Sequence, residues 1–185
     1  SYSKAQSSII DSSINMSFIG VNYAFNWTGK DLGQRYGNLS NAGISFTLKH
    51  KSNFFVEGAY SFLFGADVKE QDMLDQLKTS NGYMINSQGL MEPIAMEERG
   101  HLASLKVGKI FNVFGPNPNS GLFLSIGGGF MQHKIFFNYE RNFVDLPQLE
   151  GEYLKGYDRL TNGSALFQEF GYIYFSNKNM GNFHV

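Results

Sequence analysis

Apolar residues alternate with small or polar ones along most of the chain. In the run 14–27, Ile19, Val21, Tyr23, Phe25 and Trp27 alternate with Gly20, Asn22, Ala24 and Asn26. Next, Ala42, Ile44, Phe46 and Leu48 alternate with Asn41, Gly43, Ser45, Thr47 and Lys49. A third run, 54–64, sets Val56, Tyr60, Phe62 and Phe64 against Glu57, Ala59 and Ser61. A fourth, 99–114, sets Ala103, Leu105, Val107, Phe111 and Val113 against Ser104, Lys106 and Gly108. A fifth, 121–136, sets Leu122, Leu124, Ile126 and Phe130 against Ser125, Gly127, Gly129 and His133. The sixth, 160–175, is ambiguous: Leu166, Phe170, Tyr172 and Tyr174 share one parity, Ala165, Glu169 and Gly171 the other, with Phe167 and Ile173 also on the second. A period of two over such lengths predicts strands.

The runs are longer than the ~5–6 residues usual for soluble strands and match the ~9–11 needed to cross a bilayer. Their second face is mostly Gly, Ala, Ser and Asn, which fits the inside of a narrow barrel better than a solvated sheet surface. The connections alternate in length: His50-Lys51-Ser52-Asn53, Gly115-Pro116-Asn117-Pro118-Asn119 and Ser176-Asn177-Lys178-Asn179 are short, and those after Thr28, Gly65 and Phe137 are long. Short turns at one end and long loops at the other are the asymmetry of an outer-membrane barrel. The expected fold is therefore all-β, an antiparallel up-and-down transmembrane β-barrel of about eight strands. Six strands are complete and 181–185 reads as the start of a seventh, so the C-terminal hairpin is expected to be missing, or supplied by another chain. The division is a polar N-terminal extension, 1–13, and the barrel, 14–185. A soluble lipocalin-like barrel is the alternative.

Composition narrows the choice. Aromatic residues make up 16% of the chain, charged residues only 17%, and there are 21 glycines. Disordered chains lack such aromatics. The net charge of −1 argues against nucleic acid as a partner, because phosphate contacts need a basic surface. The absence of cysteine excludes disulfides and thiolate metal sites. A mean hydropathy of −0.24 does not speak against the membrane, since a barrel shows lipid only every second residue.

Several stretches carry a resemblance: Glu98-Arg99-Gly100 opening a strand, the pair Gly108-Lys109, the run 127–134, and Gly156-Tyr157-Asp158-Arg159-Leu160-Thr161-Asn162-Gly163. Over residues 17–185 the chain resembles a group of outer-membrane β-barrel proteins of Bacteroidota. The resemblance implies two further strands beyond Val185. It also implies a bacterial outer-membrane location, contact with membrane lipid and lipopolysaccharide, and a role as accessory subunit of an envelope machine such as the type IX secretion apparatus or the barrel-assembly complex.

Candidate chemistry is sparse. His50 sits in a basic turn, and His184 is at the end of the chain. His101 and His133 lie on neighbouring strands but have opposite parity, so they face opposite sides. No catalytic constellation, cofactor site or metal site emerges. The inward charges Glu57, Lys106 and Glu169 must pair, because an isolated buried charge is too costly. In the second long loop Asp67 and Glu70 have capping-box spacing before Val68, Met73, Leu74 and Leu77, which predicts a short helix. That loop also carries Tyr83, Met84, Ile85, Leu90 and Met91. The third carries Phe143, Leu146, Leu149, Tyr153 and Tyr157. Met73, Leu77, Tyr83, Met84, Leu90, Met91, Tyr153 and Tyr157 are accordingly the candidates for contact with other outer-membrane proteins. The expected function is that of a non-enzymatic structural or accessory subunit. The alternatives are a lipid A-modifying or protease-like barrel enzyme, and a small channel.

Overall fold

The computed structural model describes residues 9–138, 146–177 and 183–184. The long strands are β1 (Met16–Asn26), β2 (Leu39–Lys49) and β3 (Phe54–Gly65), followed by a short pair, β4 (Met84–Ile85) and β5 (Met91–Glu92). β6 (Ala95–Phe111), β7 (Gly121–Asn138) and β8 (Thr161–Tyr174) come next, then a two-residue β9 (Phe183–His184). One helix, α1 (Lys30–Arg35), follows β1. The main sheet has seven strands in the order β1-β2-β3-β6-β7-β8-β9, antiparallel throughout. The protein is thus all-β, as the alternation predicts. The expected closure into a barrel is not found: among the described residues β9 pairs only with Ile173 and Tyr174, and no ladder joins β1 to the far edge. Among the same residues no helix is long and apolar enough to cross a membrane.

The two-residue period sets the faces of the sheet. Asn22, Ser45, Glu57, Lys106 and Ser125 lie on one face; Val21, Phe46, Tyr60, Leu105 and Ile126 lie exposed on the other. In β8 the odd positions, including Phe167, Glu169 and Ile173, join the first face, which resolves the ambiguity of that run. The sheet rolls around this inner face. Met16 and Phe18 of β1 pack with Phe55 of β3, Ile110 of β6, Phe123 of β7 and Ile173 of β8 in one cluster, and the Phe18 and Phe175 rings meet edge to face at 5.5 Å.

Both ends of the rolled sheet are filled. The β2–β3 hairpin turns tightly because Asn53 takes φ 64, a left-handed value that asparagine tolerates, and the His50 amide donates to the Phe54 carbonyl. Beside this turn, the 9–15 segment runs under the end of the sheet. Asn119, fully buried, holds it with every polar group: its amide nitrogen donates to the Ile9 and Ser12 carbonyls, and its oxygen accepts from the Ile14 amide and from Lys49 Nζ. So residues 9–13 of the polar extension are docked on the sheet.

At the other end the long connections pack on each other. β6 and β7, 17 and 18 residues long, project past their neighbours and supply Met96, Ile135 and Phe137 as a wall. Tyr36, Val68, Leu74, Met84, Leu146 and Leu149 close against it. The predicted helix after Asp67 does not form. The chain makes only a 3₁₀ turn, Gln71–Leu74, without a side-chain cap. Glu70 is drawn away from capping into ion pairs with Arg35 (2.8 Å) and Arg159 (3.2 Å), which tie three connections together. His50 and Pro116 therefore lie at one end, and Gln34, Met84 and Leu149 at the other, as the turn lengths predict. Lys178 and Phe143 lie outside the described residues.

Because Leu149 is 0% exposed in the cap, Leu149→Ala is expected to cost about 3 kcal/mol. Limited proteolysis should then cut the 66–94 and 146–160 connections faster, while Leu105→Ala on the outer face should leave their cleavage unchanged.

Candidate functional site

Three strands meet through one ammonium group on the inner face. Lys106 Nζ lies 2.8 Å from Glu57 Oε1 and 2.9 Å from Glu169 Oε1. Thr47 Oγ1 donates to the second Glu57 oxygen at 3.0 Å, and Ser125 Oγ to the second Glu169 oxygen at 3.1 Å. Glu57 is directly opposite Lys106 across the β3–β6 ladder, but Glu169 is two strands away on β8. The lysine stem crosses β7 at its own ladder partner, Gly127, where an added Cβ would lie 2.6 Å from Lys106 Cγ. Gly127 therefore keeps that crossing open. The predicted trio is brought together, as its shared inward parity requires.

A second buried pair escaped the sequence reading. Glu98 and His133 are 1% and 3% exposed, with Glu98 Oε1 3.0 Å from His133 Nδ1 but off the line of a hydrogen bond. The Tyr36 ring meets the imidazole edge to face at 4.8 Å. Glu98 Oε2 and Tyr36 Oη, both buried, have no hydrogen-bond partner among the described residues. A carboxylate beside an imidazole is the base half of a nucleophile-activating arrangement, but here it is enclosed under the cap. Parity places His133 inward. The signal that it would be paired lay in Glu98, two ladder positions and so one same-face step from Gly100, the direct partner of His133. His101 faces outward instead, stacked on Tyr60 and 2.8 Å from its hydroxyl.

The contact candidates divide. Met84 is 1% exposed, so it serves the interior of the cap, and Met73, Leu77 and Tyr157, half-buried, pack against the same cluster at its edge. Part of the apolar surface read as a docking surface is thus used by the loops themselves. Tyr83, Leu90, Met91 and Tyr153 remain exposed, three of them on or beside the β4–β5 hairpin. Asn86 builds that hairpin's turn: its side-chain oxygen accepts from the Gln88 and Leu90 amides, and Gly89 takes φ 78.

Lys49 is the other functional-looking side chain that sequence reasoning passed over. It is buried, and its ammonium donates to Ser13 Oγ, the Ile14 carbonyl and Asn119 Oδ1 at 2.9–3.2 Å. Neutral acceptors replace a carboxylate there. In the cap, the Glu70 hydrogen bond holds the Arg35 guanidinium above its ordinary pKa. Among the described residues no three His, Asp or Glu side chains converge as metal ligands would.

The outer face is apolar over most of its area. Val21, Leu166 and Phe170 are 85%, 92% and 73% exposed, and Ile19, Ile44, Leu105 and Ile126 are also open. Two shallow grooves cross it. One, of ≈750 Å³, runs over Gly58 and Gly128; the other, of ≈680 Å³, ends at Lys109. No protein-family model matches the chain, and no curated protein or solved structure matches it either.

Lys106→Met strands two carboxylates on the inner face and is expected to cost about 3 kcal/mol. Adding Glu57→Gln and Glu169→Gln to that variant should restore most of the loss in urea unfolding midpoints, because no uncompensated charge then remains.

Proposed function

We propose that the chain is a β-barrel protein of the bacterial outer membrane. It acts without a catalytic centre, as a structural or accessory subunit of a larger envelope complex. The observation that carries this reading is the outer face. Soluble monomers rarely expose contiguous apolar patches beyond a few hundred Å². Here the exposed apolar side chains run across every long strand. The middle rows hold Ile19, Val21, Ile44, Leu48, Val56, Leu105, Val107, Ile126 and Leu166, with Phe46, Tyr60 and Phe130 among them. Tyr23, Phe25, Trp27 and Phe64 lie toward the long loops, and Phe54, Phe111 and Tyr172 toward the short turns, an arrangement that fits lipid between two aromatic girdles. In this reading the rolled sheet completes its edges within the membrane, since hydrocarbon leaves no other partner for open backbone groups.

The inner face supports a structural role over a channel. It carries the Lys106 ion trio at mid-height, the 9–15 segment at one end and the packed loops at the other. The accessory role rests on the β4–β5 hairpin, which holds Ile85, Leu90 and Met91 exposed beyond a cap that needs none of them.

Two outcomes test the proposal. The chain refolded with phospholipid vesicles should float with them and resist alkaline extraction. Ile126→Arg, on the outer face, should cost about 2–4 kcal/mol of stability in the bilayer. A chain that stays in the aqueous fraction would falsify the membrane reading. For the accessory role, a photo-crosslinker at Met91 in intact envelopes should yield one protein adduct of discrete mass, and one at buried Leu146 none. Labelling of lipid alone from Met91 would rule that role out.

A further inference from the structure

The apolar outer face carries a cation that no acid answers. Lys109 is exposed between its ladder partners Phe54 and Leu124. Its Nζ stands 4.8 Å from the centre of the Phe54 ring and 5.9 Å from that of Phe111. Among the described residues the ammonium has neither a hydrogen bond nor an ion pair. The other two strand cations on this face differ: Arg99 is paired with Glu97, and Lys134 lies 3.7 Å from Asp158.

Charge is also distributed unevenly along the strand axis. At the short-turn end the described charged side chains are Lys49, Lys51 and Lys109, with Asp11 the one acid among them. The long-loop end holds eleven described acids against eight cations, with Glu70, Asp75 and Glu97 each paired to one of those cations. Lys49 is buried under the sheet, so among the described residues the exposed cations of this end are Lys51 and Lys109. From Lys109 the ≈680 Å³ groove runs toward the middle of the sheet, lined by Leu48, Phe54, Val56, Val107, Leu124 and Ile126. Two rows of the ladder build it: Leu48, Val56, Val107 and Ile126 in one, Phe54, Lys109 and Leu124 in the next.

We propose that this is a binding site for one anionic phospholipid from the leaflet that meets the short turns. The phosphate sits at Lys109 Nζ and an acyl chain lies in the groove. The inference rests on the membrane reading above and adds a ligand and a place to it. Aromatic faces stabilise a cation but accept none of its protons strongly. A phosphate oxygen supplies that acceptor with a charge-assisted bond. The lysine stem is long enough to lift its head to the headgroup level while its methylenes stay on Phe54 and Phe111. On the outer face at the long-loop end the strand cations Arg99 and Lys134 already have carboxylates, so the site belongs to the leaflet at the short turns.

The test uses the full chain refolded into phosphatidylcholine vesicles containing a trace of spin-labelled phosphatidylglycerol or spin-labelled phosphatidylcholine. The fraction of each label immobilised by the protein is compared. The native chain should select phosphatidylglycerol. Lys109→Gln should lower that selectivity by about fivefold, the worth of one lysine near an anionic surface. Val107→Trp, which fills the groove and keeps the charge, should lower it as well. Lys134→Gln, at the far end, should leave it intact. Unchanged selectivity in Lys109→Gln, or an equal loss in Lys134→Gln, overturns the site while the membrane reading stands. A native chain that does not float with the vesicles overturns both.

Discussion

Lys106 lies between two carboxylates that come from opposite sides of its own strand. One belongs to the adjacent β3 and the other to β8, across the whole width of β7. A flat sheet would hold β6 and β8 about 10 Å apart, too far for compact ion pairing without a stem lying over the strand between. The roll of the sheet, the glycine at 127 and the serine at 125 all serve this contact. The Thr47 and Ser125 hydroxyls then satisfy the outer carboxylate oxygens. In water such a trio contributes little. On an inner face, where Lys106 and Glu57 are each 12% exposed, breaking it leaves a charge with no answer, so it fixes the register of the strands around it.

Most of this was legible from parity alone. Alternation with a period of two separates the faces, and the faces decide which charges meet. The long strands, the short and long connections, the inward trio and the opposed His101 and His133 all follow from it. What parity could not show was packing between connections. The Asp67 to Leu77 stretch has the letters of a capped helix, yet Glu70 finds Arg35 and Arg159, residues 35 and 89 positions away, and those pairs outweigh a local cap. Likewise α1 forms in a segment with a glycine in its middle, where local propensity is poor, because Leu32 and Tyr36 have a cap to join. Asn119 reads as one more turn asparagine beside Pro118. Only the return of the 9–15 segment beneath the sheet gives it four partners.

The two ends are sealed by different means, and the means suit their surroundings. At the short-turn end polar groups hold backbone: Asn119, Asn117 and Lys49 donate to carbonyls and amide oxygens, and Ser120 Oγ accepts from the Phe175 amide. Such a closure is specific and needs few residues. At the long-loop end apolar side chains from three connections share a core with the projecting tips of β6 and β7. That closure is less directional and larger, and burial stabilises it in proportion to area. Its cost is the enclosed Glu98–His133 pair, whose polar atoms the apolar cap leaves incompletely satisfied.

The cap also changes what the loops are for. An apolar loop in water has two outlets, its own neighbours or another molecule. Met84, Leu146 and Leu149 take the first, and Met73, Leu77 and Tyr157 line its edge. The β4–β5 hairpin stands on this packed cap through Met84. Its other side chains, Ile85 and Met91, are direct ladder partners and both point away from the core, half exposed. A two-stranded hairpin is marginal alone in water. Here the Asx turn at Asn86 and the buried foot at Met84 keep it formed, so the apolar pair is presented in a fixed geometry. Pre-organised display of that kind lowers the ordering cost of association, which is why the proposed accessory role is placed on the hairpin and not on the whole loop.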